Sequence, residues 1–119
     1  MSVDRPPRTW ALEIATERVA GAIVLVPKGR IGSVTAGAFA EAVGAARAAA
    51  PRLVIDLAGV DYISGAGIRV LQKVSSDNGA HTIVCGLHEA VRITLELAGA
   101  LDGIVVVEDR ETAIENCTP

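Results

Sequence analysis

The fold of this 119-residue chain is indicated by one stretch, Asp56-Leu-Ala-Gly-Val-Asp-Tyr-Ile-Ser64-Gly-Ala-Gly-Ile-Arg-Val-Leu71. Just before it, the continuous apolar triplet Leu53–Ile55 is typical of a buried strand in a parallel sheet. Apolar residues then recur at helical spacing from Ile68 to Val74. The region therefore predicts a strand, a glycine-bearing loop and a helix that begins near Gly65 or Ala66.

The rest of the chain repeats this alternation of strands and helices. Alternation around Leu12–Thr16 and the β-branched run Val19–Val26 predict two consecutive strands that open the chain as a hairpin. An alanine-rich helix is expected over Ser33–Ala50, with Ser33 or Thr35 as its cap. The remaining predicted elements are a strand at 81–85, a helix at 89–98, a strand at 104–107 and a short helix after residue 109.

The predicted order is β-β-α-β-α-β-α-β-α, which defines a single α/β domain over residues 10–117 behind an N-terminal tail at 1–9. Strands that alternate with helices through right-handed crossovers form a mostly parallel sheet. The opening hairpin adds an antiparallel edge, and the helices pack on the sheet. A chain of this length forms one hydrophobic core.

Charge and hydropathy exclude several classes of function. The chain has 11 Lys and Arg against 14 Asp and Glu, a net charge of −3, and no basic cluster offers a footprint for nucleic acid or anionic lipid. Its uncharged runs fall short of the roughly 18 apolar residues that a bilayer span needs. Glu13 and Glu17 interrupt the apolar segment that a secretory signal requires. We therefore expect a cytoplasmic protein that does not insert into membranes.

Three residues resemble a row of metal ligands, but their spacing is unfavourable. His81 and Cys85 share one strand face and lie about 13 Å apart, too far to bind one ion. Cys85 and His88 alone lack the further ligands of a closed zinc site. Cys85 and Cys117 do not make a disulfide framework. We expect no metal.

The glycine-rich loop also lacks a catalytic or cofactor signature. Gly65-Ala-Gly67 begins like a dinucleotide fingerprint, but the sixth position of that motif is Val70. Ser64 lies on a strand-to-helix turn, yet Tyr62 stands where the nucleophile elbow of hydrolases needs a glycine. We expect no enzyme activity and no cofactor.

Two motifs carry a resemblance to a known family. Residues 56–71 resemble a segment of STAS domains, the fold of anti-sigma-factor antagonists, in which Asp-Leu leads through an aromatic-aliphatic-serine turn into a helix starting at Gly-Leu. The segment Gly29-Arg-Ile-Gly-Ser-Val-Thr35-Ala is similar to the family's Gly-x-Leu-Asp-x-x-Thr-Ala. The resemblance, which covers residues 10–117, implies a non-enzymatic regulator of partner switching. Its implied partner is an anti-sigma factor or related serine kinase, with a phosphatase as a further partner.

The phosphorylation motif departs from the family pattern. When the family's Gly-Leu is placed on Gly67-Ile68, the usual acceptor serine falls on Gly65, and Ser64 lies one residue earlier. The aspartate of the family's Leu-Asp is replaced by Gly32. The resemblance therefore implies phosphoregulation that is altered or lost. Ser64 is a candidate phosphorylation site, with an ordinary helix N-cap as its alternative role.

The start of the second predicted helix is the expected docking surface. Backbone N–H groups are unpaired at a helix N-terminus, and glycines let a partner approach them closely. The resemblance implies that an anti-sigma kinase binds this region and that the charge of a phosphoserine disrupts the binding. The expected partner-binding residues are Gly32, Ser33, Tyr62, Ile63, Ser64, Gly65, Ala66, Gly67 and Ile68.

Three functions remain open from the sequence. The favoured one is an anti-sigma-factor antagonist in a partner switch. The second is a constitutive STAS scaffold or accessory subunit of a larger complex, including the lipid-transport type, because Gly65 replaces the acceptor serine. The third is a binder of a nucleotide or phosphate ligand at the Gly65–Ile68 amides and the Gly32–Ser33 turn. The expected oligomeric state is a monomer or a weak dimer.

Overall fold

The structure, a computed structural model, describes residues 12–19, 21–78 and 81–116. These residues form a single α/β domain. The strands are β1 (Leu12–Val19), β2 (Ala22–Ile31), β3 (Arg52–Asp56), β4 (Gly59–Ile63), β5 (Thr82–Cys85) and β6 (Val105–Val107). The helices are α1 (Ala36–Ala49), α2 (Gly65–Asn78), α3 (Glu89–Leu97) and α4 (Arg110–Glu115). The expected domain limits at residues 10 and 117, the tail at 1–9 and Cys117 lie outside the described residues.

The sheet is built around the long strand β2. On one side, residues 22–29 of β2 pair antiparallel with the whole of β1. On the other side its first half pairs parallel with β3, and its second half pairs parallel with β4. The strand order is β1-β2-β3-β5-β6, so β3 is central. This confirms the mixed sheet with an antiparallel opening hairpin at its edge.

Two sequence predictions about these strands are wrong. Residues 59–63 form a strand that the predicted order lacks, and β2 continues to Ile31, beyond the predicted run that ends at Val26. Pro27 is tolerated because β3 pairs with residues 22–25 of β2 and β4 with residues 28–31. Pro27 falls between these two parallel ladders and is the register partner of Ile14 in the antiparallel ladder with β1.

The helices cover both faces of the sheet. On one face, Phe39 of α1, Leu71 of α2 and Leu95 of α3 join the larger core cluster. On the opposite face, Ala113 of α4 packs against a smaller cluster that includes Val24 and Val54. Among the described residues, no helix combines the length and apolar character needed to cross a bilayer.

A charged group bridges the α4 face of the sheet. Asp56 is buried at the end of β3 and accepts a hydrogen bond from the N–H of Ala58 at 3.0 Å. The guanidinium of Arg110 donates to Asp56 at 3.2 Å and to Glu17 of β1 at 3.0 Å. Arg110 thereby links the central strand to the edge strand. Pairing of this kind makes a buried carboxylate tolerable.

The residues considered as metal ligands have other surroundings. Cys85 is fully buried, and burial, reinforced by the negative charge of Asp56, raises its pKa to about 12, so the thiol stays protonated at neutral pH. The Nε2 atom of His88 lies 2.7 Å from the carbonyl oxygen of Ala58. In the part of the chain that the structure describes, no three His, Cys, Asp or Glu side chains come together as a metal site.

Placing a charge in the central strand is expected to unfold the domain. Ile55 is completely buried in β3, so Ile55→Asp should cost more than about 4 kcal/mol of unfolding free energy by burying an unpaired carboxylate. Val105→Asp is the matched control, because Val105 is 43% exposed on the edge strand β6. Thermal unfolding followed by circular dichroism checks both. An Ile55→Asp protein that melts like the wild type would contradict this assignment of the core.

Candidate functional site

The two sequence motifs meet where β2 and β4 end. Ile31 and Ile63, the last residues of these parallel strands, are register partners. Directly beyond them, the N–H of Ser64 donates to the carbonyl of Ile31 at 2.8 Å. The loop after β2 and the first turn of α2 are therefore held side by side, as expected for Gly32–Ser33 and residues 62–68.

The loop after β2 is fixed by Thr35. Its hydroxyl oxygen accepts from the N–H of Gly32 at 2.9 Å and donates to the carbonyl of Arg30 at 2.8 Å. Thr35 occupies the N-cap position of α1 but makes no side-chain cap hydrogen bond. The predicted capping role is therefore replaced by a loop-closing role. This closure leaves Val34 projecting outward.

Ser64 stands at the start of α2 in the position of an N-cap. Its Oγ accepts from the N–H of Gly67 at a long 3.4 Å, and its carbonyl accepts from the N–H of Ile68 at 2.8 Å. Helix geometry leaves the N–H groups of Gly65 and Ala66 without intrahelical acceptors. The first turn thus presents backbone donors beside a half-buried hydroxyl.

The two glycines of this turn have opposite surroundings. Gly65 is exposed, and a Cβ added there would meet nothing within 4 Å. A Cβ on Gly67 would lie 2.6 Å from Cγ2 of Ile31 and 2.8 Å from Cγ1 of Ile63. Gly67 and Ile63 are buried, so the expectation that they are surface contacts needs correction. They support the surface from beneath, because the helix packs directly on the strand ends.

Four members of the expected set, Gly32, Ser33, Tyr62 and Ser64, border a groove of about 410 Å³. It is lined by Arg30, Gly32, Ser33, Val34, Thr35, Tyr62 and Ser64. Val34 is 90% exposed and Tyr62 is 42% exposed. Exposed apolar side chains grouped around a groove are typical of interaction sites. Ala66 and Ile68 are partly buried on the adjoining turn.

Sequence reasoning missed Arg30, which completes one wall of the groove. Arg30 and Tyr62 are register partners on β2 and β4. The guanidinium carbon of Arg30 lies 4.3 Å from the centroid of the Tyr62 ring, a cation–π contact. Arg30 lies inside the motif that the sequence singled out, but its pairing with Tyr62 depends on a strand that was not predicted.

Sequence reasoning also missed the continuation of this surface on α3. Ala90 and Thr94 line a small cavity together with Tyr62. One helical turn onwards on the same face, Ile93 is 46% exposed and Leu97 is 85% exposed. Residues 90, 93, 94 and 97 follow helical spacing and lie on a different face from the buried Val91 and Leu95. This pattern could have revealed the exposed face from the sequence.

Comparisons with known proteins agree with this architecture. The family model described as the STAS domain matches residues 13–113. BtrV of Bordetella bronchiseptica, named as an anti-sigma factor antagonist, is 28% identical over 106 residues, covering 86% of this chain and 91% of the relative. A crystal structure of an anti-sigma factor antagonist from Mycobacterium paratuberculosis superposes with a TM-score of 0.80 at 26% identity, covering 90% of this chain and 94% of that one.

The same fold also occurs within a much larger protein. The murine Slc26a9 anion transporter superposes with a TM-score of 0.66 at 17% identity, covering 85% of this chain but 18% of the transporter chain. At this identity the likeness concerns the fold alone.

The two glycines provide a matched pair of stability probes. Gly67→Ala should lower the free energy of unfolding by about 1–3 kcal/mol, because its methyl group overlaps Ile31 and Ile63. Gly65→Ala should be neutral or stabilising by up to about 1 kcal/mol, since alanine favours the helix and the site is open. Urea denaturation of both variants measures the difference. Equal effects, or the reverse order, would contradict the packing of α2 on the strand ends.

Proposed function

The chain belongs to the STAS domain family, and we propose that it is a non-enzymatic protein-binding module of the anti-sigma-factor antagonist type. Its partner is an anti-sigma factor or related serine kinase. The docking surface comprises the loop after β2, the first turn of α2 and Tyr62 between them. A partner of this kind is cytoplasmic, and we propose the same location for the chain.

The observation that supports this function best is the exposed apolar surface beside a helix start. Val34, at 90% exposure, stands on a loop that Thr35 holds closed. Tyr62 lies across the groove under the guanidinium of Arg30. Tyrosine and arginine are enriched among the residues that contribute most of the binding energy at protein interfaces. The groove therefore suits an apolar partner side chain with an acidic neighbour.

We further propose that binding does not depend on phosphorylation. Gly65, at the usual acceptor position, has no hydroxyl group, and the hydroxyl of Ser64 faces the first turn of its own helix. Gly32 replaces the aspartate near that acceptor in the family pattern. A module of this kind binds constitutively, so a phosphatase has no substrate on this surface.

Constitutive binding also supports the second candidate, a scaffold or accessory subunit of a larger complex. The use of this fold as one part of a transporter chain is consistent with that role. The third candidate, a nucleotide or phosphate binder, has weaker support. Arg30 is the one cationic side chain lining the groove in the described structure, and it is stacked on Tyr62.

A charge on the most exposed apolar residue is expected to abolish docking. Val34→Asp should weaken binding to the cognate anti-sigma factor or serine kinase by at least about tenfold, without a change in stability, because Val34 contributes little to the core. Isothermal titration calorimetry measures the affinity. Val106→Asp is the control, since Val106 is 41% exposed on the distant edge strand β6. Equal affinities for Val34→Asp and the wild type would overturn the proposed surface.

Restoring the acceptor serine tests the proposed absence of regulation. Gly65→Ser fits the open site and should gain one phosphate from the partner kinase and ATP, whereas the wild type and Ser64→Ala should gain none. Intact-mass spectrometry provides the readout. Ser64→Ala should bind the partner like the wild type, with about 1 kcal/mol less stability from the lost cap. Stoichiometric phosphate on Ser64 of the wild type would contradict constitutive binding while leaving the docking surface intact.

A further inference from the structure

A second groove runs between α1 and α2, apart from the Val34–Tyr62 surface. It has a volume of about 300 Å³, and its apolar floor includes Val43, Gly44, Val70 and Val74. Gly44 is exposed at this floor, and a Cβ added there would meet nothing within 4 Å. The residues that line it lie between Ala40 and Arg47 on α1 and between Ala66 and Val74 on α2, which is about two turns of each helix.

The rim of this groove is cationic although the chain as a whole is acidic. Arg47 and Lys73 share one carboxylate, that of Asp77, at 3.8 and 3.5 Å. Arg69 also lines the groove and has no ion-pair partner among the described residues. The rim therefore carries three cationic side chains and one carboxylate, whereas the net charge of the whole chain is −3. The positive rim attracts an acidic partner.

We propose that the α1–α2 groove binds an acidic amphipathic helix of a protein partner. Apolar side chains at positions i and i+4 of such a helix pack on the valine floor, and its flanking carboxylates pair with Arg69, Lys73 and Arg47. The missing side chain at Gly44 lets the incoming backbone come close. This interaction is independent of the proposed function, because it uses a different face and different residues.

The shape and charge of the groove favour this occupant over two others. A small-molecule site encloses most of its ligand, whereas a single acyl chain in this open groove would leave much of its surface in water. A second copy could offer α3, which exposes Ile93 and Leu97. However, Arg92 pairs with both Glu89 and Glu96 on that helix, so these three side chains leave a net charge of only −1 for the rim. A partner helix with unpaired carboxylates complements the rim better.

The test uses a fluorescein-labelled helical peptide of about 15 residues, with Leu at i, i+4, i+7 and i+11 and Glu on both flanks. Its twin carries Lys in place of every Glu. Binding to the full chain is measured by fluorescence anisotropy. Gly44→Leu fills the groove, and Arg69→Glu reverses the charge of a surface residue on its rim. Arg18→Glu, an equal charge change on β1 outside the groove, is the control.

The acidic peptide should bind the wild type, and its Kd should rise at least tenfold for both groove variants but not for Arg18→Glu. Added salt should weaken this binding, and the Lys twin should not bind. Failure of the acidic peptide to bind, or equal binding of the twin, would overturn the proposal. The proposal would also be overturned if dodecanoate bound 1:1 in place of the peptide. It would be overturned as well if the wild type sedimented as a dimer that Gly44→Leu dissociates. Loss of docking at Val34 would leave all these readings unchanged.

Discussion

The close approach of α2 to the ends of β2 and β4 is the contact on which the rest of the site depends. A Cβ at Gly67 would come within 3 Å of both Ile31 and Ile63, so glycine is needed there for the helix to rest on these two side chains. The hydrogen bond from Ser64 to the carbonyl of Ile31 fixes the same approach from the backbone. Together these contacts bring the start of α2, the loop after β2 and Tyr62 to one end of the sheet.

The opposite face of the sheet shows a different use of polar groups. Arg110 ties Asp56 of the central strand to Glu17 of the edge strand, and Asp56 also caps the N–H of Ala58 in the tight connection to β4. The position of β4, and therefore of Tyr62, is thus set partly from the α4 side. Exposed apolar side chains of the docking surface cluster at the other end of that strand. The start of β4 is therefore held by structural contacts, and its end carries the proposed docking surface.

The sequence predicted the parts of this fold that depend on local patterns. Buried strands with continuous apolar runs, such as β3 and β5, and helices with a clear apolar face, such as α3, are recognisable from their own residues. β4 was missed because Asp61 and Tyr62 break its apolar pattern and its ladder with β2 is a non-local contact. The loop motif and the helix start were identified as one site. The Arg30–Tyr62 stacking and the burial of Gly67 were not, because both follow from the missed strand.

The central claim is that a partner docks on the end of the sheet where β2, β4 and α2 meet. Hydrogen–deuterium exchange of the chain, free and bound to its cognate anti-sigma factor or serine kinase, tests this claim most directly. The account predicts slower exchange on binding in residues 30–35 and at the Gly65 and Ala66 amides, which have no intrahelical acceptors. Exchange in α4 should stay unchanged. Protection confined to α4 or to the β6 edge, with none over residues 62–68, would contradict the account.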